Sequence, residues 1–183
     1  MVEREKMMKV PAAEILEKIR KKEKVKNFKI TGQVDLMMLI KAPKYELQRE
    51  VYFENCEIDE MFCITIFFHG KVTLKKCTIK ALNCNAAYFH GGLVIEDCEF
   101  EEEVDFQCGG HNINGTEIIF RNNVFKNFVN FFDCYYDGPF VMRSNTFEKG
   151  TNLLGNKGKP FEVSFETPPD IEENKGTLNL DGG

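Results

Sequence analysis

Five segments of this chain can be laid over one another: VYFENCEI from Val51, VTLKKCTI from Val72, LVIEDCEF from Leu93, IIFRNNVF from Ile118 and FVMRSNTF from Phe140. Their sixth positions form one column, Cys56, Cys77, Cys98, Asn123 and Asn145, at steps of 21, 21, 25 and 22 residues. A period just above 20, made of short alternating apolar segments with no helical periodicity inside it, is the length of one coil of a β-solenoid. One coil cannot bury its own inner face, so it stacks on the next. Equivalent residues then form ladders with steps of about 4.8 Å.

A finer spacing of five runs inside the coil. Phe53, Ile58, Cys63 and Phe68 mark one turn and Leu74, Ile79, Cys84 and Phe89 the next. Two places ahead of each stands another apolar or small residue: Val51, Cys56, Met61 and Ile66, then Val72, Cys77, Leu82 and Ala87. Four five-residue sides make a square coil. This pattern resembles the pentapeptide-repeat family, whose unit places Leu or Phe inward at its centre with a small residue two places before. The resemblance implies an all-β fold, a single-stranded right-handed parallel β-helix of quadrilateral section, here with about five to six coils. It covers residues 51 to 100 closely and 101 to 155 loosely. EEEVDFQ and KNFVNFF slip the inward register by one, which leaves the coil's cross-section from residue 101 onward open.

An open solenoid end exposes core and unpaired strand edge, so it needs a cap. PAAEILEKIRKKEK, with Pro11 in a first helical turn and Ile15, Leu16 and Ile19 on one face, predicts an amphipathic capping helix over 11 to 24. The expected division is an N-terminal arm and capping helix over 1–28, a β-helix over 29–166, and a largely loose tail over 167–183 that leaves the period at Pro168-Pro169, although GTLNL from Gly176 could pair with a final coil.

The three histidines follow the coil. Phe68-His69-Gly70 returns as Phe89-His90-Gly91, and His111 lies 21 residues further on. His69 and His90 are expected to point outward, side by side. Stacked imidazoles are weak candidates for a metal site, with His111 joining only if its coil regains register. Duplication of one unit explains the column without a ligand, so neither a metal nor a cofactor is expected.

The inward column of Cys56, Cys77, Cys98, Asn123 and Asn145 is expected to be a structural ladder, its amides bonding neighbouring coils. Seven cysteines without a C-x-x-C pair read as reduced packing thiols. EDCEFEEEVDF concentrates Glu96, Asp97, Glu99, Glu101 and Glu102 on one coil, and Tyr135-Tyr136 lies in an aromatic stretch. These seven residues are the candidates for an interaction surface, although a solvated outer face and core stacking account for most of them.

Residues 1 to 50 carry 13 Lys and Arg against 8 Asp and Glu, and residues 51 to 183 carry 11 against 21, so a basic head sits on an acidic body. No apolar run approaches the ~20 residues of a membrane span, and no apolar signal core opens the chain. A cytoplasmic protein with no membrane partner is expected. Direct nucleic-acid binding is not, because the aromatic stretch lacks interleaved cations.

Walker, dinucleotide-binding, nucleophile-elbow and H-E-x-x-H patterns are missing from the sequence. The expectation is therefore a non-catalytic scaffold that engages another protein, or a second copy through the C-terminal coil. The resemblance also implies an alternative, an acidic DNA mimic directed at a nucleic-acid enzyme such as a type II topoisomerase. A carbohydrate-active β-helix enzyme is less favoured, since such enzymes set paired carboxylates in long loops over larger coils. An enzyme is not expected.

Overall fold

Alternation of apolar and polar residues sets the strands, and the period stacks them. The computed structural model describes residues 7–41, 43–113 and 115–182. Its strands form a parallel β-solenoid of about 6 turns. The first face is a seven-stranded ladder: Val25–Lys26, Val51–Glu54, Val72–Lys75, Leu93–Glu96, Ile118–Arg121, Phe140–Arg143 and Asp170–Glu172. The repeat registers are the ones that the aligned segments dictate, with Val51 beside Val72, Val72 beside Leu93, Leu93 beside Ile118, and Ile118 beside Phe140.

The second and third faces are joined early, where Phe28–Asp35, Glu57–Phe62 and Thr78–Asn83 run through both. From the Glu99 coil onward they separate into short strands such as Glu99–Phe100 and Val104–Asp105. The fourth face is the least regular. It is built from Glu46–Leu47 against Phe67–Phe68, from Tyr135–Tyr136 against Ser164–Phe165, and from single bridges through Tyr88 and Gly110.

Every inward residue of the five-residue spacing in the Val51 and Val72 coils is buried. The one-residue slip is equally real: Val104 and Phe106, and then Val129 and Phe131, fill the third face of the next two coils. Asp105 and Asn130 sit beside them and turn the corner. Their side chains accept from the backbone N–H groups of Gln107 and Phe132, two residues on, at 3.0 Å in each case. Inside, phenyl rings stack rung on rung. Phe125 lies between Phe100 and Phe147 with ring centroids 4.8 and 4.9 Å away, and Phe106 lies 5.3 Å from Phe131.

The first corner repeats one device. Asn55, Lys76, Asp97, Asn122, Ser144 and Glu173 all have φ between 52° and 57°, and each is followed by an inward small or amide residue. In the N-terminal half that residue is cysteine, whose thiol turns back to a carbonyl two residues earlier, as Cys77 does to Lys75 at 3.2 Å. In the C-terminal half it is asparagine, and the bonding is denser. Asn145 Oδ1 accepts from both the N–H and the side-chain amide of Asn123, at 3.0 and 2.9 Å. Asn123 Oδ1 in turn accepts from the Cys98 N–H at 2.9 Å, and its amide donates to the Ile95 carbonyl at 2.8 Å. Asn174 extends the column by one rung, accepting from Asn145 N–H and Nδ2 at 2.9 Å each.

The ends depart from the sequence expectation in three ways. The helix is Ala12–Arg20, shorter than 11 to 24. It stops because Lys22 takes a left-handed conformation (φ 61), so that Lys22 and Glu23 donate back to Ile19 and Lys18. Its face of Ile15, Leu16 and Ile19 is buried on the first coil as expected. The arm before it is also part of the solenoid, for Met8–Pro11 pairs in parallel with Phe28–Thr31, and Val25–Lys26 opens the first face.

At the other end, the segment expected to be a tail continues the ladders. Val141 pairs with Asp170, Thr146 bridges to Lys175, and Thr151 N–H donates to the Thr177 carbonyl at 2.8 Å. The Pro168-Pro169 pair marks a corner, and the coil resumes after it because Ile171, Asn174 and Leu178 still supply inward residues.

An amide in the buried column satisfies groups on two other coils, whereas a thiol satisfies few. Asn123→Ala is therefore expected to lower unfolding stability by about 2 to 4 kcal/mol, since it strands a buried N–H and a carbonyl. Cys77→Ala should cost only about 1 kcal/mol. Equilibrium denaturation of both variants checks the order, and equal losses would contradict the assignment.

Candidate functional site

The fourth face brings the histidines together. His69 and His90 follow buried phenylalanines whose rings stack at 5.4 Å, so both imidazoles leave the core at the same corner, with ring centroids 5.2 Å apart. The glycines after them have a steric reason. A Cβ on Gly70 would come within 2.3 Å of the Arg49 backbone, and one on Gly91 within 2.4 Å of the His69 carbonyl oxygen. The Phe-His-Gly triplet thus encodes one buried ring, one exposed ring and one close crossing of chains.

His111 does not extend this column. Gly110, not His111, bridges to Tyr88 and to Tyr135, so the coil has slipped one place. With φ at 49°, His111 instead inserts its ring between Tyr88 and Tyr135, at 4.1 and 5.4 Å. The outer stack on this face therefore runs Phe67, Tyr88, His111 and Tyr135, beside the two-imidazole column.

Carboxylates stand at the edges: Glu46 Oε2 lies 4.0 Å from His69 Nε2 and Asp137 Oδ2 lies 3.6 Å from His111 Nδ1, while Tyr135 hydroxyl donates to Glu166. Tyr88, His90, His111, Ile113, Asp137 and Glu166 line an open groove here. Among the described residues, no three His, Cys, Asp or Glu side chains converge as ligands for one metal ion. Burial, together with the neighbouring charges of His69 and His111, holds the His90 imidazole below its ordinary pKa.

The candidate surface pair Tyr135-Tyr136 divides. Tyr135 is on the outside, its hydroxyl pushed up to about 12 by the hydrogen bond to Glu166. Tyr136 is only 2% exposed and packs against Phe140 and Phe165, so it belongs to the core and offers no surface. Strand alternation required one of the two to point inward.

The acidic run is outward, and much of it is paired. Glu96 is held between Lys75 at 3.3 Å and Arg121 at 2.9 Å, Glu99 pairs with Lys126, and Glu102 lies 3.8 Å from Lys80. Asp97 accepts from the Asn122 amide at 3.2 Å. Each partner comes from an adjacent coil, so neighbours offset part of this coil's charge, while Glu101 and Glu103 are exposed and form no ion pair among the described residues. These pairings are invisible in the linear sequence unless lysine and arginine positions are also mapped onto the period.

Six of the seven thiols are shielded by burial. Burial drives Cys134 up to about 12 and Cys84 well above its ordinary value. Cys77 is lowered by a hydrogen bond with Cys56, but its contact with Cys98 and burial outweigh this and leave it at about 12. Cys56 is raised through its hydrogen bond with Cys77 and by burial. Cys108 is the exposed one.

The chain matches no protein-family model, no curated protein and no solved structure.

Two measurements follow from these environments. A thiol reagent added to the native protein should titrate one cysteine, slowed because partial burial and the Asp133 and Asp105 carboxylates hold Cys108 above its ordinary pKa, and a Cys108→Ser variant none, whereas denaturant should release all of them. Fast native reaction of several thiols would contradict the buried columns. For His90, the folded form binds a proton less readily than the unfolded form, so its contribution to stability is lost as pH falls below about 6.5. His90→Gln should flatten the fall in melting temperature between neutral pH and pH ~5, and an unchanged slope would place the titration elsewhere.

Proposed function

We propose that this chain is a non-catalytic scaffold, a divergent pentapeptide-repeat-like solenoid that engages another protein, or a second copy of itself through the last coil. The observation that carries this reading is the order of its outer faces. Ion pairs between coils, the ring stack of the fourth face and flat parallel ladders hold outward side chains in place before any partner arrives. A surface already ordered loses little conformational entropy on binding. The fourth-face groove, with its tyrosines, imidazoles and rim carboxylates, is the most featured part of that surface.

Self-association has its own support. Asp170–Glu172 is the outermost strand of the first face, and Phe165, Ile171 and Leu178 of the final coil are only partly buried. The DNA-mimic alternative is weaker, because a mimic needs an unbroken stripe of available carboxylates. Here Glu96, Glu99 and Glu102 are bound by neighbouring cations.

Photoreactive phenylalanine placed in turn at Tyr88, Thr73 and Ile171 tests the scaffold. A discrete protein adduct from Tyr88 and none from Thr73 is expected, and an adduct of twice the chain mass from Ile171 would identify the self-associating end. Indiscriminate adducts from all three positions, or none from any, would defeat the proposal.

A further inference from the structure

The basic head holds a surface that the faces do not explain. Between the third and fourth sides of the first coil, the chain makes a 3-10 turn at Leu36–Leu39, and Pro43, Lys44 and Tyr45 beyond it are exposed. Only Leu36 is buried in this turn. Met38 is 62% exposed and Tyr45 53%, while Met37, Leu39 and Ile40 are partly buried. Met37, Ile40, Pro43, Lys44 and Tyr45 line a concavity of about 230 Å³, room for one large apolar side chain. Exposed apolar residues clustered around a hollow mark a binding surface more often than chance exposure, and methionines at such places adapt to what they bind.

Cations surround it. Arg20 Nη2 donates to the Met38 carbonyl at 2.8 Å, tying the loop to the helix C-terminus, and Arg49 Nη1 donates to the Arg20 carbonyl at 2.7 Å. Lys21 and Lys22 follow directly from that helix end, and Lys41 and Lys44 lie on the loop itself. None of these four lysines forms an ion pair among the described residues, whereas Lys75, Lys80 and Lys126 on the body each have a carboxylate partner. The head therefore carries uncompensated positive charge next to uncovered apolar surface.

We infer that this end of the solenoid docks an acidic segment of a partner protein, with one bulky apolar anchor of the segment seated between Met37, Ile40 and Tyr45 and its carboxylates facing Lys41 and Lys44. A hollow lined by apolar side chains receives an anchor, whereas insertion into a bilayer calls for a projecting apolar tip. A second copy is a poor occupant, because Glu96, Glu99 and Glu102 of its acidic run are held by cations of neighbouring coils and the apolar residues within that run, Phe100, Val104 and Phe106, are buried and offer no anchor. The inference goes beyond the scaffold reading, since it uses the first coil's loop rather than the ordered faces and stands or falls separately.

The test is fluorescence anisotropy with the full chain and a labelled peptide of Asp and Glu residues around a central Phe. Matched peptides carry Ala in place of Phe, or Lys in place of the acids, and phosphatidylserine vesicles are run in parallel. The acidic Phe peptide is expected to bind saturably. Replacing its Phe with Ala should weaken binding by about tenfold or more, and added salt should weaken it further. Tyr45→Glu and the double variant Lys41→Glu, Lys44→Glu should each lose binding while melting like the parent, and both sites are exposed enough to tolerate the change. The inference is overturned if the acidic Phe peptide does not bind, if the Ala peptide binds equally well, if the variants bind like the parent, or if vesicles bind and the peptide fails to compete.

Discussion

Outside the helix and the tight corners, backbone hydrogen bonds in this protein run from one coil to the next, and that single habit governs the rest. A parallel ladder brings equivalent residues to the same place one rung apart, so any side chain chosen once is met by its counterpart. Phenyl rings then stack with centroids near 5 Å, amides bond amides, and a glutamate finds a lysine one period away. The same proximity penalises an unsatisfied buried group, and among the described residues no buried side-chain nitrogen or oxygen lacks a partner.

The passage from cysteine to asparagine along the first-corner column shows this constraint at work. Cys56, Cys77 and Cys98 fill space and bond weakly across coils, as the Cys77 N–H does to Cys98 Sγ at 3.4 Å, whereas the amides of Asn123, Asn145 and Asn174 bond across coils through both oxygen and nitrogen. The change comes one coil after the shift from long strands over two faces to short separated ones, which begins at Glu99–Phe100. Where the ladder supplies fewer backbone bonds, the amides supply bonds of their own.

Much of this was legible in the sequence. The period located the coils, the five-residue spacing located the inward residues, and the slip at EEEVDFQ was visible before any coordinates. Three features were not. Most of the final coil was hidden, with only GTLNL hinting at it, because Pro168-Pro169 breaks the pattern and because its inward residues, Ile171, Asn174 and Leu178, do not follow the earlier spacing. Tyr136 looked like surface because two tyrosines in succession obscure which one alternation turns inward. The exposed loop around Met38 and Tyr45 was missed because an apolar run reads as core when taken by itself. Its signal was the pair Lys41 and Lys44, placed where a buried segment would hold no charge.

The identical registers of the Val51, Val72 and Leu93 strands have a consequence for the molecule's history and length. The junction between the first two of these coils is chemically almost the same as the junction between the second and third, down to cysteine over cysteine. A 21-residue unit copied into this stretch would meet familiar neighbours above and below and would lengthen the rod by about one strand spacing, ~4.8 Å, without a new kind of contact. Farther along, where the steps become 25 and 22 residues, a copied unit would meet strangers. Growth by duplication is thus open in the N-terminal half of the rod and closed in the other.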